Sequence, residues 1–242
     1  LQVRMIFEMN QRTTNDDLNS LAGKARLGMQ WFFKRSGPLA VGINQGGCFM
    51  KALPKESKTP DIQFHVAALS ADMAGAKVHS FSGMTMSVCQ LRPESRGHIR
   101  IKSTDPFQPP EMQPNYLSTD LDRRTNVAAL KAVRAITGSE AMRGLVKREV
   151  KPGKDTLDDE ALLEFCRNNG ATIFHPSGTC QMGLDPARGA VLDERLRVHG
   201  IAGLRVIDCS SMPTLVSGNT NAPAVMMAEK AVDMILEDAQ RR

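Results

Sequence analysis

Apolar and polar positions alternate at the start of the chain. In LQVRMIFEMN (1–10), Val3, Met5 and Phe7 fall on one face, which predicts a strand over residues 1–9. The period then lengthens. Leu18, Leu21, Leu27 and Trp31 recur near helical spacing over 16–35, and Ser36-Gly37-Pro38 closes the run, predicting one helix. Three strand-like runs follow at 61–70, 82–91 and 97–103, separated by turn-rich segments. DPFQPPEMQPNY (105–116) holds too many prolines for regular structure and predicts an extended surface path.

Helical spacing returns after it. Thr119 can cap a helix with Asp122 in its first turn, and Val127, Leu130, Val133 and Ile136 form the apolar stripe. A second helix is predicted from Thr156, with Asp159 three residues on, to Asn169-Gly170. Strands followed by helices predict an α+β fold with a mostly antiparallel sheet. The last part differs. GLRVIDCS (203–210) is a nearly continuous apolar run, as in a strand buried on both faces. SGNTNAP (217–223) reads as a loop, and Pro223 sits where a first helical residue belongs. Val225, Ala228, Val232 and Ile235 then share one face of a closing helix.

Composition narrows the classes. Hydrophobic residues make up 41% and charged residues 24% of the 242, as in ordinary soluble globular chains. The net charge of +5 is scattered, which favours a solvated surface over a nucleic-acid footprint. Aromatics are only 5%, too few for base-stacking platforms. The five cysteines are odd in number and form no CxxC pair, so neither a disulfide framework nor a metal site is expected. That usage suits a reducing compartment and a cytoplasmic or membrane-associated location. No apolar run approaches the roughly 18 residues that span a bilayer, and the opening residues do not read as a signal peptide with a basic start and an apolar middle. The chain opens on Leu1 already within a strand, as if cut from something longer.

Two segments carry chemistry. FHPSGTCQMG (174–183) places His175 against a proline, and SGNTNAP holds Asn219 and Asn221 in a loop that opens a helix. Imidazole can take a proton near neutral pH. A helix opening presents free N–H groups and a positive dipole end to an anion or electron-rich heteroatom. His65, His79, His98 and His199 do not pair at ligand spacing and read as surface or packed residues. A hydrolase using Ser177 with His175 fares worst, because no nucleophile elbow surrounds that serine. NQGGCFM (44–50) reads as a loop near a cavity.

Together, FHPSGTCQMG, VLDERLRVHGIAGLRVIDCSSMP (191–213) and SGNTNAPAVMMAEKAVDMI (217–235) resemble the C-terminal signature of the glucose–methanol–choline (GMC) flavin oxidoreductases. SRGHIRIKSTDP (95–106) extends the likeness, and within the family the chain is most similar to choline-dehydrogenase-like alcohol dehydrogenases. The resemblance implies FAD as hydride acceptor, His175 as the catalytic base and Asn219 as the group that holds the substrate hydroxyl. It implies further that Thr220 and Asn221 contact the flavin, and that Asp208 and Cys209 meet the cofactor's ribityl and phosphate portion. Residues 1–168 would form the substrate-binding domain. Residues 169–242 would carry the catalytic pair and a strand and helix that complete the FAD-binding domain.

The family's G-x-G-x-x-G Rossmann unit has no match in these residues, so the resemblance implies a fragment that alone binds FAD weakly or not at all and is inactive. Gln2 stands where choline-oxidising relatives carry a carboxylate, which favours an uncharged primary alcohol over choline. The expected partners are a small-molecule alcohol and an electron acceptor, either a quinone-like carrier or O₂. The rival expectation is a non-catalytic remnant or binding module that keeps the fold without the cofactor domain.

Overall fold

The computed structural model describes residues 1–73, 75–156 and 158–240, which divide into two compact units. The first comprises Leu1–Gln90 and Asp120–Ala171; the second comprises Leu91–Thr119 and Thr172–Arg242. The segment 91–119 thus clusters with the C-terminal residues and not with the rest of 1–168.

The first unit is built on an antiparallel sheet. In chain order its elements are β1 (Gln2–Met9), α1 (Thr14–Leu18), α2 (Leu21–Lys34), β2 (Gly46–Met50), β3 (Ile62–Ala67) and β4 (Gly83–Gln90). The second unit contributes β5 (His98–Arg100) and β6 (Glu111–Gln113). The first unit then resumes with α3 (Asp120–Thr137), α4 (Glu140–Arg143), β7 (Val146–Lys151) and α5 (Asp159–Asn169). The sheet order is β2-β3-β4-β1-β7, so β1 lies inside the sheet, paired with β4 on one side and β7 on the other. Val3, Met5, Ile6 and Phe7 of β1 are all buried, as a strand with neighbours on both edges and a covered face requires. α3 packs its Val127, Leu130 and Val133 stripe inward as predicted, and α5 lies against α3 with its own Leu162 and Cys166 buried.

Several expectations are corrected. The single helix over 16–35 is two helices broken at Asn19-Ser20. Both residues compete for backbone partners: Ser20 Oγ accepts the Gly23 N–H to cap α2, and Asn19 Nδ2 donates to the His79 carbonyl. α2 buries only Gly23 and Leu27, while Leu21 and Trp31 face outward with Met29, Phe32 and Phe33. Residues 46–50 form the edge strand β2 and not a loop, because Gly46 to Met50 ladder onto β3. The proline-rich stretch contains β6, whose three residues lie between Pro110 and Pro114 and pair with β5. The helix expected from Thr156 starts at Asp159, where Asp158 caps it by accepting the Ala161 N–H. β7 is an edge strand that its charged sequence VKREVK concealed.

In the second unit, a cluster of Leu192, Leu196 and Ala231 gathers Met182, Val191, Val198, Val206 and Ile207 around it. Ala231 belongs to the closing helix α6 (Asn221–Gln240), whose buried residues are Met227 and Ala231. The predicted apolar face of Val225, Ala228, Val232 and Ile235 is therefore the exposed one. Within 203–210 only residues 204–207 run extended, with one bridge, Arg197 to Arg205; Gly203 lies in a turn, Cys209 and Ser210 belong to a 3₁₀ turn, and Gly203 and Leu204 are exposed. The extended residues are not doubly paired within the described residues. α6 begins two residues earlier than expected, which leaves Pro223 in the first turn, where its missing N–H costs nothing.

Candidate active site

The site lies in the second unit, where His175 meets the loop that opens α6. Gly178 allows the preceding segment its path: its φ is +84°, and a Cβ there would stand 3.2 Å from the Met212 carbonyl oxygen. Its N–H donates to the Cys209 carbonyl, and the Cys180 and Met182 N–H groups donate to Ser210 and Ser211. The strand-like run 178–182 is so tied to the 3₁₀ turn at Cys209–Ser211. Phe174, just before the histidine, is held at φ +62° although it is a bulky residue, a strained backbone of the kind found at functional sites.

The imidazole of His175 is half-buried and held at both nitrogens. Nδ1 lies 2.8 Å from Thr220 Oγ1, and Nε2 lies 3.2 Å from Asn219 Nδ2. Thr220 is buried, whereas Asn219 and Asn221 are exposed at the mouth of the loop. His175 and the adjacent pair Asn219-Thr220, 44 and 45 residues further along the chain, meet at one ring. Arg92 Nη1 donates to Ser217 Oγ at 2.9 Å and braces the loop from the segment that precedes β5. Asp208 is exposed, and its carboxylate accepts the Ser210 N–H at 2.7 Å, so it caps the 3₁₀ turn. Cys209 Sγ sits 4.0 Å from the Thr220 carbonyl oxygen.

The opening of α6 suits an electron-rich group. Its first hydrogen bond runs from the Ala224 N–H to the Thr220 carbonyl, so the preceding amides of the first turn lie outside the helical ladder. Gly218 beside them has φ +153°, and nothing stands within 4 Å of where its Cβ would be. The space and the donors fit the polar edge of a flavin ring. A separate cavity of about 950 Å³, lined by Val198 to Arg205 and the end of α6, includes none of the predicted site residues. Among the described residues no group of three or more His, Cys, Asp or Glu could hold a metal.

Sequence reasoning brought His175 and Asn219 together but missed the Thr220 hydroxyl as the ring's other partner. A threonine between two asparagines carries no signal of where its side chain points.

Comparison with known proteins agrees with this architecture. The family model described as GMC oxidoreductase matches residues 93–228, and the chain belongs to the GMC oxidoreductase family. It is 38% identical over 237 residues to an alcohol dehydrogenase [acceptor] of Pseudomonas putida, covering 98% of this chain and 42% of that protein. It is 38% identical over 210 residues to an oxygen-dependent choline dehydrogenase of Staphylococcus saprophyticus, covering 86% of this chain and 37% of that protein. The chain thus spans about two fifths of the curated relatives it matches. Among solved structures, formate oxidase superposes with a TM-score of 0.87 at 22% identity, over 99% of this chain and 46% of that one. Pyridoxine 4-oxidase from Mesorbium loti gives 0.74 at 24% identity, over 95% and 41%. At these identities the two structures speak for the fold.

Proposed function

We propose that this chain supplies the substrate-binding and catalytic residues of an FAD-dependent alcohol dehydrogenase that oxidises an uncharged primary alcohol to its aldehyde. The observation that carries the proposal is the pairing of His175 with Asn219 at the open end of α6. In this reading, residues 1–168 serve substrate binding and 169–242 serve catalysis and the cofactor. FAD, when bound, supplies the acceptor for the hydride leaving the alcohol carbon. His175 accepts the hydroxyl proton through a ring nitrogen, and the Asn219 carboxamide holds the substrate oxygen beside that nitrogen. Thr220, Asn221 and the first turn of α6 would face the electron-rich edge of the flavin, with Asp208 and Cys209 lying along the rest of the cofactor. Donors fixed in place before charge develops lower the barrier more than flexible ones do. Electrons then leave to an acceptor of the quinone or O₂ class.

Two facts bear on the substrate. One relative is named for alcohols and another for choline. Gln2 is neutral and buried, and its amide donates to Ser87 Oγ at 2.8 Å, so it offers no charge to a quaternary ammonium. Comparing kcat/KM for choline and a series of primary alcohols tests this; a clear preference for choline would reject it.

The decisive measurement is His175→Ala in the flavin-loaded enzyme that contains this chain. We expect kcat to fall by roughly 10²–10⁴, the usual worth of a positioned base, with flavin content unchanged. A variant that turns over at the native rate would remove His175 from the chemistry.

A further inference from the structure

We infer that α2 is a membrane-surface element, whose outward face rests in the headgroup layer of an anionic lipid bilayer without crossing it. The inference does not depend on the role of His175. Basic residues are spread along the whole chain, but the acidic ones leave one long gap. From Leu18 to Lys55 there is no Asp or Glu, while Lys24, Arg26, Lys34, Arg35, Lys51 and Lys55 are present. Of the 31 basic residues these six leave 25 elsewhere, against all 26 acidic ones, so the net positive charge of the chain resides in this segment.

The same segment turns its apolar residues outward. Opposite the buried Gly23 and Leu27, the helical period lines up Leu21, Ala25, Met29 and Phe32, with Phe33 beside them. Leu21 is 86% exposed, Phe32 64% and Phe33 77%. Lys24 and Arg35 border this stripe on one side and Arg26 on the other. The Arg35 guanidinium lies 4.4 Å from the centroid of the exposed Trp31 ring, which pairs an aromatic with a cation at the end of the helix. Leu39, Val41 and Ile43 continue the exposed apolar run beyond it.

A helix at a water-facing surface shows the reverse order, with its polar face outward. Apolar side chains that enter the acyl boundary, flanked by cations that meet lipid phosphates, make a helix that lies in the bilayer interface. With 14 residues α2 is about 21 Å long, short of the roughly 30 Å hydrocarbon core. Among the described residues no helix is long and apolar enough to cross a membrane. A second copy fits the face less well, because a self-complementary contact would set two acid-free cationic surfaces against each other.

The test is co-sedimentation of the flavin-loaded enzyme that contains this chain. One set of vesicles is phosphatidylcholine alone, and the other is about one third phosphatidylglycerol. We expect binding to the anionic vesicles that weakens as salt is added. Phe32→Ser combined with Phe33→Ser should weaken it at least about tenfold, since neither ring then enters the acyl boundary. Lys24→Gln combined with Lys34→Gln should weaken it roughly tenfold on the anionic vesicles alone. Flavin content reports whether each variant is folded, and the lysine pair decides if the phenylalanine pair is not. No binding by the native enzyme, or binding that neither double variant changes, overturns the inference. Self-association that the phenylalanine pair abolishes, without vesicle binding, would give the face to a second copy instead.

Discussion

Asn15 shows how much a single side chain can organise. It is fully buried, and its Nδ2 lies within 3.0–3.2 Å of Ser70 Oγ and of the Ser70, His79 and Phe81 carbonyls, while Oδ1 accepts the Ser70 N–H at 2.8 Å. One residue of α1 therefore satisfies the backbone of the turn that leads into β4. Removing it strands several buried polar groups, each costing about 1–3 kcal/mol. Asn15→Ala should lower the unfolding free energy by about 2–4 kcal/mol, read as a reduced urea midpoint at unchanged slope. A loss under 1 kcal/mol would mean that water replaces the carboxamide. Gly83 belongs to the same knot, since a Cβ there would stand 1.8 Å from Ser70 Oγ. At this scale the candidate site was legible where a motif marked it, as for His175 and Asn219. The partners of Asn15 and Thr220 were not, because nothing local in the sequence says which distant atom a short polar side chain will reach.

Among elements, the outcome turned on what each one packs against. The stripe of α3 was legible because α3 packs against both the sheet and α5, which bury Val127, Leu130 and Val133. α2 and α6 were misjudged because each buries a narrow strip of small or single large residues: Gly23 and Leu27 in α2, Met227 and Ala231 in α6. Periodicity finds an apolar stripe and cannot tell which side the protein covers. β7 escaped notice because an edge strand tolerates Lys and Arg, and here they make its contacts. Glu149 of β7 receives a forked ion pair from Arg134 of α3 at 2.7 and 3.0 Å, and Arg134 also donates to the Thr156 and Gly153 carbonyls. Both partners are largely shielded. Glu149→Gln should therefore destabilise the protein by about 1–3 kcal/mol, and Arg134→Met by more, because it abandons two carbonyls as well. Thermal unfolding of the two variants checks the order; equal losses would place the whole effect in the ion pair.

For the molecule as a whole, acidic groups paired with bases set the response to acid. Lys147 and Arg148 hold Glu8 below its ordinary value, and Arg26 and Arg12 do the same for Asp17 against the opposing effect of burial. Burial pushes Asp238 up, but Arg205 and Arg195 outweigh it and leave it lowered. Folded values below the unfolded ones mean that the unfolded chain takes up protons first as pH falls. The stabilisation from these groups is complete above the ordinary carboxylate range and drains away below about pH 4. Melting temperatures measured from pH 7 to pH 3 should fall most steeply at the acid end, and less so in a Glu8→Gln, Asp17→Asn double variant. An identical slope in that variant would assign acid sensitivity elsewhere.

The chain passes between the two compact units at residues 90–91, 119–120 and 171–172. For anyone dissecting the protein, this means that no single truncation releases either half intact. A product ending at Ala171 keeps the Gln2–Ala171 backbone pair but carries a 91–119 excursion deprived of Ser217, to which Arg92 is bonded. A product starting at Thr172 lacks that same excursion. Clean separation calls for cutting at all three crossings and splicing a short linker across the gap between Gln90 and Asp120.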